Sequence, residues 1–368
     1  MNTLAVSIVM KQLLLSAMLV VATLFGGIAV GPVGVAGAQE NCSFPVTETD
    51  ATGTEVTIEE EPQRIVTLSP SASQTMWEIG AQEKVVGVTK FSTYLDGANS
   101  KANVSGAGMT AVVPEKVVAQ NPDLVLAPNV IPEQTVQTLR DAGLTVYKFE
   151  ESESIEDIYA KTELTGQLAG ECDGAAETVS WMKDRVNTVE QAVSNEDSPK
   201  VMYVMSGGFT AGEGTFINKI IETAGGTNVA AEADISGYKQ ISNEVVVQQQ
   251  PDWFIVSAGM EVPNAYSETP AAQQNQTISL NSNYASQPAP RIVHPITKLA
   301  KTLHPEAYEQ ANVTTTTETG DETMTTTESM DGTTGETTTE SGGQPGFGGV
   351  GAVVAGALAV VTLLARRE

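Results

Sequence analysis

The chain has 368 residues, with 45 acidic against 19 basic side chains and a net charge of −26. That balance excludes nucleic acid as a partner, because a phosphate backbone demands basic surface. Spread over the body of the chain, it reads as the solvated acidic surface of proteins from high salt, where the Debye length is only about 3 Å at 1 M.

From Leu13 to Val35 the sequence is almost wholly apolar, and Ala36 and Ala38 supply an A-x-A site ahead of Gln39. Residues 1–38 therefore read as a secretory signal peptide, the alternative being a retained membrane helix. In an exported chain two cysteines permit one disulfide, Cys42 with Cys172; two separate buried thiols are the alternative.

Residues 39–153 predict an α/β lobe. Arg64 to Leu68 is a short apolar strand, Ser69-Pro70-Ser71 a turn, and Ala72 to Ile79 a helix with Met76 and Ile79 facing inward. Further strands follow at Lys84–Thr89, Leu124–Ala127 and Thr145–Phe149, separated by helical stretches. Short apolar strands alternating with helices indicate a parallel sheet covered on both faces. Residues 154–194 lack proline and keep helical spacing, with Ser154 and Asp157 as a capping box. They predict one long helix that limits hinge closure, interrupted, if anywhere, at Gly170–Gly174.

Residues 195–310 repeat the grammar. "EKVVAQNPDLVLA" from Glu115 returns as "EVVVQQQPDWFIV" from Glu244, with the same glutamate-to-aspartate gap, Glu115 to Asp123 and Glu244 to Asp252. Two similar lobes place a cleft between them, a favoured ligand site. Residues 311–343, rich in Thr and Glu, predict an extended stalk, since so little apolar surface cannot offset ordering entropy. Residues 344–368 carry an apolar run from Phe347 to Ala365, then Arg366 and Arg367, which suits a membrane anchor with the bulk of the chain outside. Asn41, Asn103, Asn275 and Asn312 each open an Asn-x-Ser/Thr triplet, the N-glycosylation pattern.

Little in the chain suggests reaction chemistry. His294 and His304 are the only histidines, too few for a zinc or manganese site, so no metal is expected. There is no G-x-S-x-G elbow and no P-loop, and neither "AGEGTF" nor "TAGGTN" follows a dinucleotide pattern. No cofactor is expected, and the chain reads as a non-enzyme.

"RIVTLSPSASQTMWEIG", "PEKVVAQNPDLVLAPN", "GEGTFINKIIETAGGTN" and "ISNEVVVQQQPDWFIV" together resemble the ABC-importer solute-binding proteins for vitamin B12 and ferric siderophores. The resemblance implies two Rossmann-like lobes with mainly parallel sheets, joined by one long rigid helix around a ligand cleft. It implies capture of a cobalamin-type corrinoid, or alternatively a ferric siderophore, for an ABC permease with its ATPase. On the matching positions, Glu115 and Glu244 dock onto the permease, while Pro70, Ser71, Tyr94, Phe209 and Tyr238 line the cleft. Capping of their own helices is the rival role for the two glutamates. "VSGAGMTAVV" after Asn103 departs from the cobalamin pattern, and Lys90 and Lys239 are the nearest cations for an anionic siderophore. Pro345-Gly346-Phe347 resembles the PGF-type sorting signal of haloarchaeal surface proteins, which implies a lipid anchor on the outer face of the membrane. A secreted enzyme and a structural surface protein stand as rival classes; the first lacks a motif, and the second leaves the paired lobes unexplained.

Overall fold

The computed structural model describes residues 42–107 and 112–321, with side chains as far as Val313. The signal peptide, most of the stalk and the C-terminal anchor expected above lie outside those residues.

The described chain enters through an antiparallel hairpin, β1 (Val46–Thr49) and β2 (Glu55–Ile58), which has no counterpart in the predicted order. The first lobe follows as β3 (Ile65–Thr67), α1 (Pro70–Glu78), β4 (Val85–Val88), β5 (Ala102–Asn103), α2 (Pro114–Val118), β6 (Leu124–Ala127), α3 (Glu133–Asp141) and β7 (Val146–Lys148). Its sheet runs β5-β4-β3-β6-β7, every pair parallel. Side chains alternate across it. Ile65, Leu124 and Leu126 pack with Met76 and Ile79 on one face, and Val66, Val125 and Ala127 with Val117 and Leu139 on the other. Burial on both faces is why these strands read as continuous apolar runs.

An open sheet edge is a template for pairing with another chain, and here the hairpin turn covers β7. Asp50, almost fully buried, accepts the Lys148 amide at 3.0 Å and pairs with Arg140, while the Ala51 amide donates to the Lys148 carbonyl at 2.9 Å. Burial pushes the Asp50 carboxyl up, but hydrogen bonds from Thr52, Lys148 and Arg140 outweigh it and hold the group below its usual range.

Between the lobes the stretch 154–194 is two helices, α4 (Ile155–Ala169) and α5 (Cys172–Val193), in place of the one long helix expected, and the break falls in the Gly170–Gly174 stretch that the sequence marked for an interruption. The predicted capping box opens α4: Ser154 Oγ accepts the Asp157 amide at 3.1 Å, and the Asp157 carboxylate accepts the Ser154 amide at 2.9 Å. Gly170 ends it at a left-handed φ of +76°, donating to the Gly166 carbonyl. Gly166 then allows a tight reversal, since a Cβ there would lie 2.4 Å from that of Ala175. Leu168, Ala169 and Ala175 belong to the first lobe's core, and Ile155, Ile158, Val186 and Val189 to the second's. The two helices therefore run antiparallel, and both cross from lobe to lobe. With 22 residues α5 alone is about 33 Å long. Cys42 is disulfide-bonded to Cys172 at its start, which ties the entry hairpin to this helical bridge.

The second lobe contains β8 (Lys200–Val204), β9 (Phe209–Ala211), α6 (Phe216–Thr223), β10 (Thr227–Asn228), α7 (Val229–Glu232), β11 (Tyr238–Gln240), α8 (Asn243–Gln249), β12 (Trp253–Ser257), α9 (Pro270–Gln273), β13 (Thr277–Leu280), α10 (Ser282–Ala285), α11 (Val293–Leu303) and α12 (Pro305–Asp321). Its parallel sheet, β10-β8-β12-β13, repeats the order β4-β3-β6-β7 of the first lobe. An antiparallel ribbon of β9 and β11 stands apart from it. Helix α12 runs on to Asp321, so the stalk begins helical where an extended chain had been expected. Pro305 starts that helix and buried Tyr308 anchors it; extending an existing helix costs little per residue.

The repeated phrase is one structural corner built twice. Asn121 and Gln250 both turn at positive φ, 45° and 52°, just before the proline. Asp123 Oδ2 then accepts the amides of Gln63 and Arg64 at 2.9 Å, and Asp252 Oδ2 that of Lys200 at 2.8 Å. Each aspartate so fixes the start of the neighbouring central strand. The basic residue there answers by donating to carbonyls at the preceding helix's end, Arg64 to Gln120 and Asn121, Lys200 to Gln249.

Candidate ligand cleft and docking surface

In each lobe the chain leaves a central strand to one side and later returns to the other, so the strand order reverses between β3 and β6, and between β8 and β12. Loops at the carboxyl ends of such strands diverge and leave a crevice where ligands bind. In the first lobe a concavity of about 450 Å³ occupies that point, lined by Ser69 and Pro70 after β3, Phe91 after β4, and Val130, Ile131 and Pro132 after β6. In the second lobe Gly207 and Gly208, at φ of +70° and +73°, turn the chain from β8 into the ribbon that carries Phe209 and Tyr238. Ala211 pairs with Tyr238 and Phe209 with Gln240, so Phe209 and Tyr238 are diagonal neighbours on one face.

Six large apolar side chains are exposed among the described residues, and four of them are Phe91, Val130, Phe209 and Tyr238. Exposed apolar groups thus concentrate at the carboxyl ends of the two sheets. Those ends face each other, because α1 and the loop after β4 touch the segment after β13. Gln74 Nε2 donates to Tyr94 Oη at 2.8 Å and to the Asn283 carbonyl at 3.4 Å, and Gln74 Oε1 accepts the Arg291 amide at 2.9 Å. Arg291 Nε donates to Glu78 at 2.7 Å, and Tyr94 packs edge-on to Tyr284 with ring centres 6.5 Å apart. This interlobe contact is polar and half-buried; burial pushes the Tyr94 hydroxyl above its ordinary range. A second contact comes from Lys161 on α4, whose ammonium donates to Ser152 Oγ at 2.8 Å and across to the Pro288 carbonyl at 2.6 Å. Burial, only partly offset by Asp157, brings Lys161 down to about 8.

Of the residues that the sequence suggested for the cleft, Pro70 lines the first lobe's concavity, and Phe209 and Tyr238 are exposed on the ribbon. Ser71 points inward: it is buried, with its hydroxyl 2.8 Å from that of Ser69. Tyr94 is engaged by Gln74 and Tyr284 at the lobe contact. Phe91 and Val130 were not anticipated; they lie in short irregular segments, with no periodicity to mark them. Lys90 sits 5.1 Å from the Phe91 ring centre and donates to the Gly106 carbonyl at 3.4 Å. His294 lies 5.5 Å from both Trp181 and Tyr284, where burial pushes its imidazole down, and His304 contacts the Gly225 carbonyl. No group of three His, Cys, Asp or Glu fit to hold a metal occurs among the described residues.

Glu115 and Glu244 are both exposed, in the first turns of α2 and α8. In α8 the capping hydroxyl is Ser242, which accepts the Val245 amide at 3.3 Å. In α2 no side chain caps the helix. Capping therefore does not occupy either carboxylate, and neither forms an ion pair among the described residues.

A family model described as periplasmic binding protein matches residues 65–289. A "Cobalamin-binding protein" of Halobacterium salinarum is 43% identical over 287 residues, covering 74% of this chain and 78% of that protein. An uncharacterized ABC transporter substrate-binding lipoprotein of Bacillus subtilis is 28% identical over 286 residues, 74% and 90% of the two chains. Among solved structures, the periplasmic heme-binding protein RhuT of Roseiflexus sp. RS-1 superposes with a TM-score of 0.60 at 25% identity, over 68% of this chain and 99% of that one.

Proposed function

The chain belongs to the periplasmic binding protein family, and from that premise we propose that it is the receptor of an ABC importer for a cobalamin-type corrinoid. The observation that carries the reading is the pair of apolar faces at the sheet ends, Phe91 and Val130 opposite the ribbon of Phe209 and Tyr238. A large flat ligand is held mainly by such faces, with few polar contacts. The likeness to a cobalamin-binding protein supports the corrinoid over other flat ligands. An anionic siderophore fits less well, because Lys90 is turned onto Phe91 and Gly106, and Lys239 alternates to the face of the ribbon opposite Tyr238. Pro70 and the aromatics contact the ring system, whereas Ser71 and Tyr94 act behind it, shaping α1 and the lobe contact.

Glu115 and Glu244 stand on the permease. A carboxylate opposite a guanidinium forms a charge-assisted, often bidentate bond that fixes orientation as well as affinity. Export by the N-terminal segment and retention by the C-terminal one put the receptor on the outer face of the membrane. The experiment is calorimetry with cobalamin, cobinamide, heme and a ferric siderophore at high salt, paired with uptake by cells carrying Glu115→Arg and Glu244→Arg together. The corrinoids should bind, and the double reversal should abolish uptake with affinity unchanged. Binding of none of the ligands would end the receptor reading; lost affinity in the reversal would move the two acids into the cleft.

A further inference from the structure

The sequence offers four Asn-x-Ser/Thr triplets, and the fold treats them differently. Asn41 lies outside the described residues. Asn312 is half-buried within α12, where the helical backbone holds it. Asn103 is exposed, but its Oδ1 accepts the Ser105 amide at 2.8 Å. Ser105 itself is buried, with its Oγ accepting the Lys90 amide at 3.0 Å. Asn275 differs on every count. It turns the chain between α9 and β13 at a φ of +55°, it is exposed, and Thr277 two residues on is exposed as well.

We propose that Asn275 is an N-glycosylation site of the folded protein and that Asn103 is not. The triplet is read as a unit, amide at the first position and hydroxyl at the third. At 275–277 both groups are open to a transferase, and at 103–105 the hydroxyl is shut inside the lobe. The reaction joins the Asn275 amide nitrogen to the anomeric carbon of a lipid-phosphate-linked oligosaccharide. The carbon–nitrogen bond forms, the carbon–oxygen bond to phosphate breaks, the phosphate leaves on its lipid, and the amide gives up one proton. No oxidant or reductant is needed.

The position suits a bulky substituent. Asn275 precedes the amino end of β13, whereas the cleft lies at the carboxyl ends, so a glycan there leaves ligand entry open. Strand β13 is also the sheet's outer strand, guarded by Lys298, whose ammonium donates to the Ser279 carbonyl at 2.5 Å. A hydrated glycan at its start adds to that guard against edge-to-edge pairing.

The proposal rests on export of the chain and is independent of the ligand. It is tested on protein recovered from the surface of the cells that make it, by mass spectrometry of glycopeptides. Wild type and Thr277→Ser should carry a glycan on the peptide containing Asn275. Thr277→Val and Asn275→Asp, the second keeping a short polar side chain at the left-handed turn, should lose it with far-UV circular dichroism unchanged. Asn103→Gln should leave the glycan pattern as it is. A bare Asn275 in wild type, or a glycan on the peptide containing Asn103, would overturn the proposal.

Discussion

Removing the aromatic faces of the ribbon is the most direct perturbation of the cleft. Phe209 is 40% exposed and Tyr238 is 53% exposed. An aromatic side chain buries about 200 Å², so a flat ligand that covers what is open removes about 80 Å² at Phe209 and about 105 Å² at Tyr238 from water. At about 25 cal/mol per Å² these areas contribute about 2 and about 2.5 kcal/mol to binding. Phe209→Ala should then weaken corrinoid affinity about 30-fold, and Tyr238→Ala about 70-fold. Because the two rings are diagonal neighbours on one face, their effects should combine to less than the product. The assay is isothermal calorimetry with cobinamide and cobalamin, with Val118→Ala, exposed on α2, as the control that leaves affinity alone. Changes of less than threefold in both ring variants, with intact circular dichroism, would refute the stacking argument.

The disulfide closes a loop with a sequence separation of 130, for which chain entropy gives about 5 kcal/mol of stabilisation. Cys42→Ser with Cys172→Ser should therefore lower the free energy of guanidinium unfolding by several kcal/mol, and a loss below about 1 would exclude that mechanism. Lys161 binds its proton less tightly folded than unfolded, with a folded value of about 8. Between that value and the unfolded one near 10.4 the unfolded chain holds the extra proton, so this group makes stability rise with pH, by at most about 3 kcal/mol. Lys161→Met should flatten that part of the stability–pH curve relative to wild type; an unchanged slope would count against a depressed Lys161. Arg291→Met leaves the half-buried Glu78 without its partner, at a cost of about 1–3 kcal/mol in urea denaturation. An effect within experimental error would mean that the Glu78–Arg291 pair contributes nothing to holding the lobes together.

The parallel sheets were legible because strands buried on both faces must be apolar throughout, as Leu124–Ala127 is. The strand predicted there matches β6, and the duplicated phrase located the matching corner of the second lobe. Other features left no comparable trace. The entry hairpin is made of two four-residue strands with polar outer faces, VTET and EVTI, too short for a period to stand out. The β9–β11 ribbon is two strands of three residues each and lies off both main sheets. The break at Gly170 was marked only by the glycines of Gly170–Gly174 inside otherwise unbroken helical spacing, and the close approach of Ala175 to Gly166 turns that mark into a reversal. Ser71 shows the limit at side-chain level. Its place in the strand-to-helix turn was readable from the sequence, but the first turn of α1 rotates its hydroxyl inward onto Ser69, and nothing in the spacing encodes that.

Two antiparallel helices bridge the lobes, and the Gln74–Glu78–Arg291 contact joins them again beside the cleft. A molecule linked at both places resists hinge bending, because opening it would break helical hydrogen bonds on one side and half-buried polar bonds on the other. The apolar faces are then largely preformed, which limits the ordering cost of capturing a flat ligand. The same stiffness raises the cost of release, and a partner that lowers it has to act on both lobes at once. Under the docking role proposed above, Glu115 and Glu244 are where it acts, each in the first turn of the short helix whose following aspartate fixes a central strand. Asp123 and Asp252 tie those same corners by hydrogen bonds to the starts of β3 and β8, the strands whose carboxyl ends lead into Pro70 and Phe209.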